Sequence, residues 1–521
     1  MHSTNLRQAL AVLLICLGVY SATNYGGVRP PDSEVVFRVA EALIDGRGFS
    51  PKDLESWPGF GVSPGRNGRL YAVYPPVESL ALAPVAKAAQ AMDRTGWYRG
   101  RSIPYSHYVA DGLGAVMFRA PIRNLEPHAL RFVVSWFDVF VSALVAAAFY
   151  AVLLLLTGSG PASFVTALFY AFGTPAFSYA GSFFSEPLAL FFVLISFFGL
   201  LRARPIDPSG SSPQPPLAKD RSLLWISFAG LALGLAVATH PSAVLFAPFF
   251  FGYLLWSRRT ALKSPKGWVH PVGWLVGLGI VLSLIGVYNF ARFGDFLQSG
   301  RGLSAANKLV FISPVSSTYW ANVYHVLLAP GKGLVLFCPA VVVGIAAWPR
   351  FMRAAPALSA LIAICIAVRL LLNASYKDWH AGFSLGPRYM LLVVPFCVVP
   401  LAYWWKDTFE RRAWKAAVLP ATLMSVCVLE QTYFALGEIF SYYHLQSFAN
   451  IRKGVDVVMN QSIYLRWSLS PLGHLHQFRR GPFLLQSLGV SNLTLWLIAS
   501  AILLGAIAAA ILIAMRRQRR H

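Results

Sequence analysis

Residues 24–49 read NYGGVRPPDSEVVFRVAEALIDGRGF and directly follow an apolar run at residues 7–23, RQALAVLLICLGVYSAT. The run is long enough for one bilayer crossing, and neither a small-residue cleavage pattern nor a polar domain follows it. We therefore expect it to be retained as the first transmembrane helix. The two carboxylates that follow, Asp32 and Glu34, would then lie at the membrane surface, where an acid needs a structural or chemical reason.

The composition excludes a water-soluble globule. The chain has 521 residues, of which 56% are apolar and only 12% charged, and its mean hydropathy is +0.56. These values predict an all-α polytopic membrane protein. The net charge of +23 comes from short basic clusters between apolar runs, which orient membrane helices, so we expect no nucleic-acid partner. The five cysteines have neither disulfide-like nor metal-ligand spacing.

Apolar runs recur along the whole chain and predict about twelve crossings. With residues 7–23, they are residues 131–156, 161–180, 186–201, 223–240, 242–257, 271–291, 333–348, 355–373, 389–405, 416–436 and 491–515. In the long segment between the first two runs, Val35–Leu43 and Leu80–Met92 have apolar residues at helical spacing. They are predicted to be helices in the interface plane, or else ordinary loop helices.

Basic residues near the helix ends predict the orientation, because Lys and Arg mark the cytoplasmic side. When the helices are counted as alternating, five clusters fall on one face. They are Arg202 to Arg221, Arg258 to Lys266, Arg350 with Arg353, Lys406 to Lys415, and Arg516 to Arg520. Both termini are therefore predicted to be cytoplasmic.

The loops on the opposite, outward face carry most of the unusual polar residues. These are Asp32, Glu34, Glu186, His240, Lys332, Asp378, His380 and Arg388. A carboxylate at an interface can act as general base on a hydroxyl, and a second can position the acceptor or hold a divalent cation such as Mg²⁺ or Mn²⁺. Basic groups can neutralise a phosphate leaving group. The set fits the transfer of a sugar from a lipid phosphate, whereas no nucleotide-binding GxxxxGK[ST] or GxGxxG motif is present.

Several motifs in order resemble the GT-C superfamily of integral-membrane glycosyltransferases, especially the bacterial branch with protein O-mannosyltransferase-like and aminoarabinose-transferase-like enzymes. They are PDSE in the first outer loop, YPP at Tyr74–Pro76, SEPL, THP, PGKGLVLFCP and GFSLGPRYMLLVVPF. The resemblance implies a polyprenyl-phosphate-linked sugar donor and inversion at the anomeric carbon. It also implies that Asp32, or its neighbour Glu34, is the catalytic base and that Glu186 is a second essential carboxylate.

The chain departs from this pattern at two places. In the aminoarabinose-transferase branch a lysine precedes the Pro-Pro pair, whereas here Tyr74 does. The donor-phosphate contact would then be absent or supplied by another residue, with Arg388 as first candidate and Lys332 and Arg301 next. The sequence Asp32-Ser33-Glu34 is only an analogue of a DxD metal motif. The metal therefore stays open, with Asp32 and Glu186 as its expected ligands.

Structural alternatives remain for these residues. Asp32 and Glu34 are also typical of a helix start near Val35, and Glu186 could begin a helix before Pro187. Glu430 and Asp138 are acids within apolar runs and are candidates of lower rank. Two other functions stay open. One is a transporter or flippase of lipid-linked sugars. The other is a surface-polysaccharide polymerase or ligase that would depend on Arg479 and Arg480.

The organisation predicted is a catalytic membrane domain over residues 1–436, an outer loop over 437–490 that could cover the acceptor site, and a last helix with a basic tail over 491–521. We expect a bacterial plasma-membrane enzyme of cell-envelope biogenesis that faces outward. Its predicted partners are membrane lipids, the polyprenyl-phosphate sugar, and a glycan, lipid or protein acceptor.

Overall fold

The structure is a computed structural model. It describes residues 3–24, 26–28, 30–51, 61–99, 108–110, 116–118, 129–203, 221–303, 308–437, 439–440, 442–443, 446 and 462–478. The predicted last helix at 491–515, the basic tail, and Arg479 and Arg480 lie outside these residues, as do residues 204–220.

The described residues are mainly helical, which confirms the predicted fold class. The longer helices are α1 (Ser3–Ala22), α2 (Pro31–Ile44), α3 (Val77–Asp93), α5 (Trp136–Thr157), α6 (Gly160–Gly173), α8 (Glu186–Arg202), α9 (Arg221–Val237), α10 (Phe246–Ser257), α11 (Val269–Phe293), α12 (Ser317–Leu328), α14 (Ala340–Ala354), α15 (Pro356–Ser375), α16 (Val394–Arg411) and α17 (Trp414–Ala435). The short ones are α4 (Ala129–Val134), α7 (Ala176–Tyr179), α13 (Leu334–Phe337), α18 (Ser462–Leu465) and α19 (Pro471–His474). Each predicted apolar run between residues 7 and 436 coincides with one or two of these helices.

Within the described part of the chain, six helical spans are long and apolar enough to cross a membrane, and the segments Arg221–Val237 and Pro241–Ser257 are shorter apolar helices. Two predicted crossings are broken. The run at 161–180 is interrupted after Gly173, where α7 follows Pro175, and the run at 333–348 is divided into α13 and α14. Proline at a helix start removes a backbone donor that would otherwise continue the preceding helix. The prediction also missed α12, which lies in the outer segment 292–332.

The protein core forms around α16, in which most of the apolar window is buried. Helices α6 and α14 pack against it, while α5 packs against both α1 and α8. Close packing depends on small residues at some of these contacts. At Gly344 of α14, an added Cβ would lie 2.0 Å from the carbonyl oxygen of Cys397 on α16. The backbones therefore touch where a side chain would separate them.

Replacing Gly344 by alanine is expected to lower the free energy of unfolding by roughly 1–3 kcal/mol, because the two helices must separate. Gly252→Ala is the matched control, since no atom lies within 4 Å of an added Cβ at that helical position. It should leave stability unchanged or raise it by up to about 1 kcal/mol through helix propensity. Thermal unfolding in detergent measures both variants. Equal midpoints for the two would contradict the packing described here.

The described part of the segment between α1 and α4 contains the two predicted interfacial helices and two antiparallel strand pairs. Strand β1 (Val62–Pro64) pairs with β2 (Leu70–Ala72), and β3 (Tyr108–Ala110) pairs with β4 (Val116–Phe118). The expected helix start near Val35 was wrong. Helix α2 begins at Pro31, which suits a first helical position because proline lacks the N–H that would be unpaired there.

Contacts between distant loops agree with the predicted sorting of loops onto two faces. Among the basic loops, the Arg258 guanidinium donates to the Ala203 carbonyl at 2.6 Å, and Arg350 lies 3.6 Å from Asp407. On the other face, the Val77 amide donates to the Ala238 carbonyl at 3.2 Å. Loops far apart in sequence are thus brought together on each face.

Candidate active site

Arg388 joins two of the predicted catalytic acids. Asp32 is in the first turn of α2, Glu186 is the first residue of α8, and Arg388 follows Pro387 at the start of a 3-10 segment, Arg388–Val393, that leads into α16. The Arg388 Nη1 donates to Asp32 Oδ2 at 3.5 Å, and its Nε lies 3.2 Å from Glu186 Oε1. Carboxylates from two loops that are far apart in sequence therefore share one guanidinium.

Asp32 is the accessible member of this pair. Its side chain is 28% exposed, whereas that of Glu186 is 2% exposed. The Tyr74 hydroxyl donates to Asp32 Oδ1 at 2.9 Å. Burial and the adjacent Asp32 charge raise the pKa of Tyr74 well above its ordinary value, so the phenol stays protonated and orients the carboxylate. Asp32 can thus accept a proton from a group that approaches from outside.

Glu34 points in another direction, although it is only two residues further along. Residues two apart on a helix are about 200° apart around its axis. Arg38 donates to Glu34 Oε1 at 3.0 Å, and Arg131 donates to Oε2 at 3.0 Å. Glu34 is therefore part of an ion-pair cluster that joins α2 to α4. Neither acid caps α2, because its N-cap residue is Pro30 and no side chain caps the helix.

His240 contacts the buried carboxylate. Its Nε2 lies 3.9 Å from Glu186 Oε1, and its Nδ1 is 2.7 Å from the Ser242 hydroxyl. Burial lowers the pKa of His240 well below its usual value, and the charges of Arg369, Arg388 and Arg301 lower it further. The imidazole is therefore neutral at physiological pH.

Arg301 also approaches the site. Its guanidinium carbon lies 5.4 Å from the centre of the Tyr74 ring, which is within the range of a cation–π contact. Two of the residues proposed to replace the missing lysine, Arg388 and Arg301, are thus brought close to Tyr74 and Asp32. The third, Lys332, is in different surroundings.

Lys332 is fully buried and holds the backbone of the segment that precedes Arg388. Its ammonium donates to the carbonyl oxygens of Gly382, at 2.7 Å, and Ser384. It also lies 4.7 Å from the Tyr443 ring centre and 5.0 Å from that of Tyr464. Burial lowers its pKa well below the ordinary value. These contacts make Lys332 a positioning group for the loop rather than a neighbour of the two carboxylates.

His380 and Asp378 are likewise separate from Arg388's ion pairs. The His380 ring stacks on Tyr464 with centroids 4.4 Å apart, and burial lowers its pKa to about 3. Asp378 is exposed. The described part of the predicted cover loop packs on the same region, since the Gly331 amide donates to the Tyr464 carbonyl at 2.8 Å.

The sequence analysis missed Glu78, the second residue of α3. It is buried, and no hydrogen bond or ion pair joins its carboxyl group to another described residue. Burial and then the charges of Glu186 and Asp32 raise its pKa from 4.5 to about 8. Its position two residues after the YPP motif was the signal that could have found it. Arg369 was also missed.

The protonation of Glu78 predicts a dependence of stability on pH. The folded protein holds a proton that the unfolded chain releases above its ordinary pKa of 4.5, so stability is expected to fall as pH rises from about 4.5 to 8. Glu78→Gln should flatten this slope and raise the thermal midpoint at pH 8 relative to the parent. A midpoint that changes with pH identically in both proteins would contradict the assignment.

The expected divalent cation does not fit the arrangement of these residues. Asp32 and Glu186 are bridged by the positive charge of Arg388. Within the described ranges, no three His, Cys, Asp or Glu side chains are grouped to hold a metal ion. The chemistry of this site is therefore described through its side chains, without a metal ion.

A small cavity lies on the protein side of Glu186. Its volume is about 20 Å³, and residues such as Tyr179, Leu190 and Leu391 line it. This is room for about one water molecule.

A comparison with protein families matches the segment that contains α5 to α11. Residues 86–294 match the family Dolichyl-phosphate-mannose-protein mannosyltransferase. The match includes Glu186 and His240 but ends before Arg388 and begins after Asp32. The predicted resemblance to integral-membrane glycosyltransferases is therefore confirmed over this segment. No curated protein matches the chain.

A comparison with solved structures finds two proteins with partial similarity to this chain. The apo structure of ArnT from Cupriavidus metallidurans is 12% identical, covers 97% of this chain and 78% of its own, and has a TM-score of 0.49. The archaeal oligosaccharyltransferase AglB from Archaeoglobus fulgidus, in complex with an inhibitory peptide and a dolichol-phosphate, is also 12% identical. It covers 91% of this chain and 61% of its own, with a TM-score of 0.44.

Proposed function

We propose that this protein is a glycosyltransferase that moves a sugar from a polyprenyl-phosphate donor to a hydroxyl of a lipid, glycan or protein acceptor. The single observation that carries the proposal is the pairing of Asp32 and Glu186 through Arg388. It places an accessible base, Asp32, beside a cation, Arg388, that can stabilise the negative charge of a phosphate. The family match supports the donor class, because its description names a dolichyl-phosphate sugar.

In the proposed reaction Asp32 takes the proton of the acceptor hydroxyl as its oxygen attacks the anomeric carbon. The bond from that carbon to the phosphate oxygen breaks, and the lipid phosphate leaves with the bonding electrons. A single displacement of this kind inverts the anomeric centre. Arg388 is placed to stabilise the departing phosphate, since a guanidinium matches phosphate geometry and acts strongly in a partly buried site.

Glu186 has a different role from Asp32. It is nearly inaccessible, and its carboxylate faces Arg388 and His240. We propose that Glu186 orients the Arg388 guanidinium. A buried arginine without an acidic partner would lower the stability of the fold. Tyr74 similarly orients Asp32 through its hydrogen bond.

The proposed location is the outer face of a bacterial plasma membrane, with both termini in the cytoplasm. The support is the positive-inside rule, together with the contacts that join basic loops to one another on the face opposite Arg388. A cysteine introduced by Asp378→Cys, on the exposed loop that precedes Arg388, should react with a membrane-impermeant thiol reagent in intact cells.

The direct test uses membranes that contain the protein and a polyprenyl-phosphate sugar labelled in the sugar. We expect label in a new glycosidic product, with release of the polyprenyl phosphate in equal amount. Movement of intact donor across the bilayer without a product would instead indicate a flippase. Membranes without the protein are the control. Absence of both product and released phosphate, with each acceptor class supplied, would refute the proposal.

A further inference from the structure

The outer end of α15 carries two polar side chains that the proposed mechanism does not use. The helix is otherwise apolar over most of its length, PALSALIAICIAVRLLLNAS. Arg369 and Asn373 are four residues apart and therefore lie on the same face, one turn from each other. They are 2% and 1% exposed. A buried arginine on an apolar helix is a functional candidate by default.

Most of their hydrogen-bonding atoms have no partner among the described residues. The Arg369 Nε donates to the Tyr389 carbonyl oxygen. Its Nη1 and Nη2, and both the Nδ2 and Oδ1 of Asn373, are buried without a hydrogen bond. No carboxylate of the described chain forms an ion pair with Arg369. Buried polar groups are nearly always paired, so these atoms indicate a partner other than the described residues, such as a bound ligand.

These two side chains lie beside the Arg388 ion pairs. Tyr389, whose carbonyl accepts from Arg369, directly follows Arg388. The charge of Arg369 is close enough to act on Glu186 and on His240. The rings of Tyr376 and Tyr389, with centroids 5.4 Å apart, adjoin the same region. The unpaired donors thus border the site that contains the two carboxylates.

The charge balance differs between the two arginines. Arg388 already faces Asp32 and Glu186, whose two negative charges exceed its own. Among the described residues, no acid forms a comparable ion pair with Arg369. A positive charge left unpaired beside the reacting groups attracts an anion, and its free Nη groups present parallel donors that suit two oxygens of one phosphate.

We propose that Arg369 and Asn373 form an oxyanion-binding subsite that takes the phosphate of the lipid-linked donor. This inference rests on the proposed function. The Arg369 Nη groups and the Asn373 amide nitrogen donate to phosphate oxygens, and the Asn373 Oδ1 accepts a hydroxyl of the attached sugar. Arg369 then supplies the positive charge for donor binding, while Arg388 acts between the phosphate and the two carboxylates.

The test measures binding of undecaprenyl phosphate to the purified full chain in detergent, with the corresponding polyprenol as a probe that lacks the phosphate. Arg369→Met is expected to raise the dissociation constant for the phosphate at least 10-fold, and Asn373→Leu about threefold to tenfold, with polyprenol binding unchanged. Arg353→Gln is the matched control, because Arg353 is an exposed arginine on α14.

Thermal midpoints distinguish a role in phosphate binding from a purely structural role of Arg369. Because Arg369→Met removes a buried charge without an acidic partner, its midpoint should equal or exceed that of the parent. A lower midpoint with unchanged phosphate binding would overturn the inference. Equal binding of undecaprenyl phosphate by the parent and Arg369→Met would also overturn it. The same holds if Arg369→Met changes only the KM for an anionic acceptor. Failure of the parent itself to bind undecaprenyl phosphate would instead refute the proposed function.

Discussion

Replacing Asp32 by asparagine is expected to lower the rate of sugar transfer by about 100-fold to 10,000-fold, the usual contribution of a general base. Asparagine has the same shape and can still accept the Tyr74 hydrogen bond that the carboxylate accepts at 2.9 Å. The substitution therefore removes proton acceptance together with the charge of the partly exposed Asp32–Arg388 pair, whose atoms are 3.5 Å apart. Single-turnover transfer from a labelled polyprenyl-phosphate sugar, at saturating acceptor, measures the chemical step.

The matched control is Glu34→Gln, two residues away on the same helix. Glu34 pairs with Arg38 and Arg131, so its loss should lower the thermal midpoint while the rate per folded molecule stays near that of the parent. Asp32→Asn should show the opposite pattern. If Glu34→Gln abolishes turnover in folded protein and Asp32→Asn retains it, the assignment of the base is reversed.

The helices of this fold could be predicted from hydropathy, because each apolar run must bury its backbone polar groups in a helix. Their breaks could not. The interruption after Gly173 coincides with Pro175, which lies within an apolar run that hydropathy alone treats as continuous. The missed α12 is mixed in polarity over Ser317–Leu328, so neither length nor hydropathy distinguished it from a loop.

The candidate site was partly predictable for a similar reason. The distribution of Lys and Arg among the loops predicts that Asp32, Glu186 and Arg388 lie on one face of the membrane. The choice between Asp32 and Glu34 required the helix start, because a helix that begins at Pro31 rather than near Val35 includes both acids in its first turn and directs them to different sides.

Other assignments depended on contacts across long sequence separations. Lys332 holds the carbonyls of Gly382 and Ser384, about fifty residues away, and so could not be separated from a phosphate-binding lysine by sequence. Glu78 and Arg369 were overlooked for opposite reasons. Glu78 follows the YPP motif, in which Tyr74 was the residue interpreted. Arg369 is a single charge within a long apolar run.

Replacing Arg388 by glutamine is expected to lower the transfer rate by about 100-fold to 1,000-fold, because a group that stabilises developing negative charge is lost. It also leaves Glu186, 2% exposed, without its ion-pair partner at 3.2 Å. Breaking a buried pair from one side costs roughly 3–5 kcal/mol. Both the rate and the thermal midpoint should therefore fall. Arg388→Lys should give an intermediate rate and midpoint, because an ammonium keeps the charge but lacks the planar guanidinium that contacts both carboxylates.

A double variant separates the two consequences. Arg388→Gln with Glu186→Gln removes both charges of the buried pair, so stability should recover toward that of the parent while transfer stays slow. Arg350→Gln is the surface control, because the Arg350–Asp407 pair is more than a third exposed on both sides and should contribute under about 1 kcal/mol. If the double variant recovers transfer along with stability, Arg388 acts only by neutralising Glu186, and the phosphate must be stabilised by other groups.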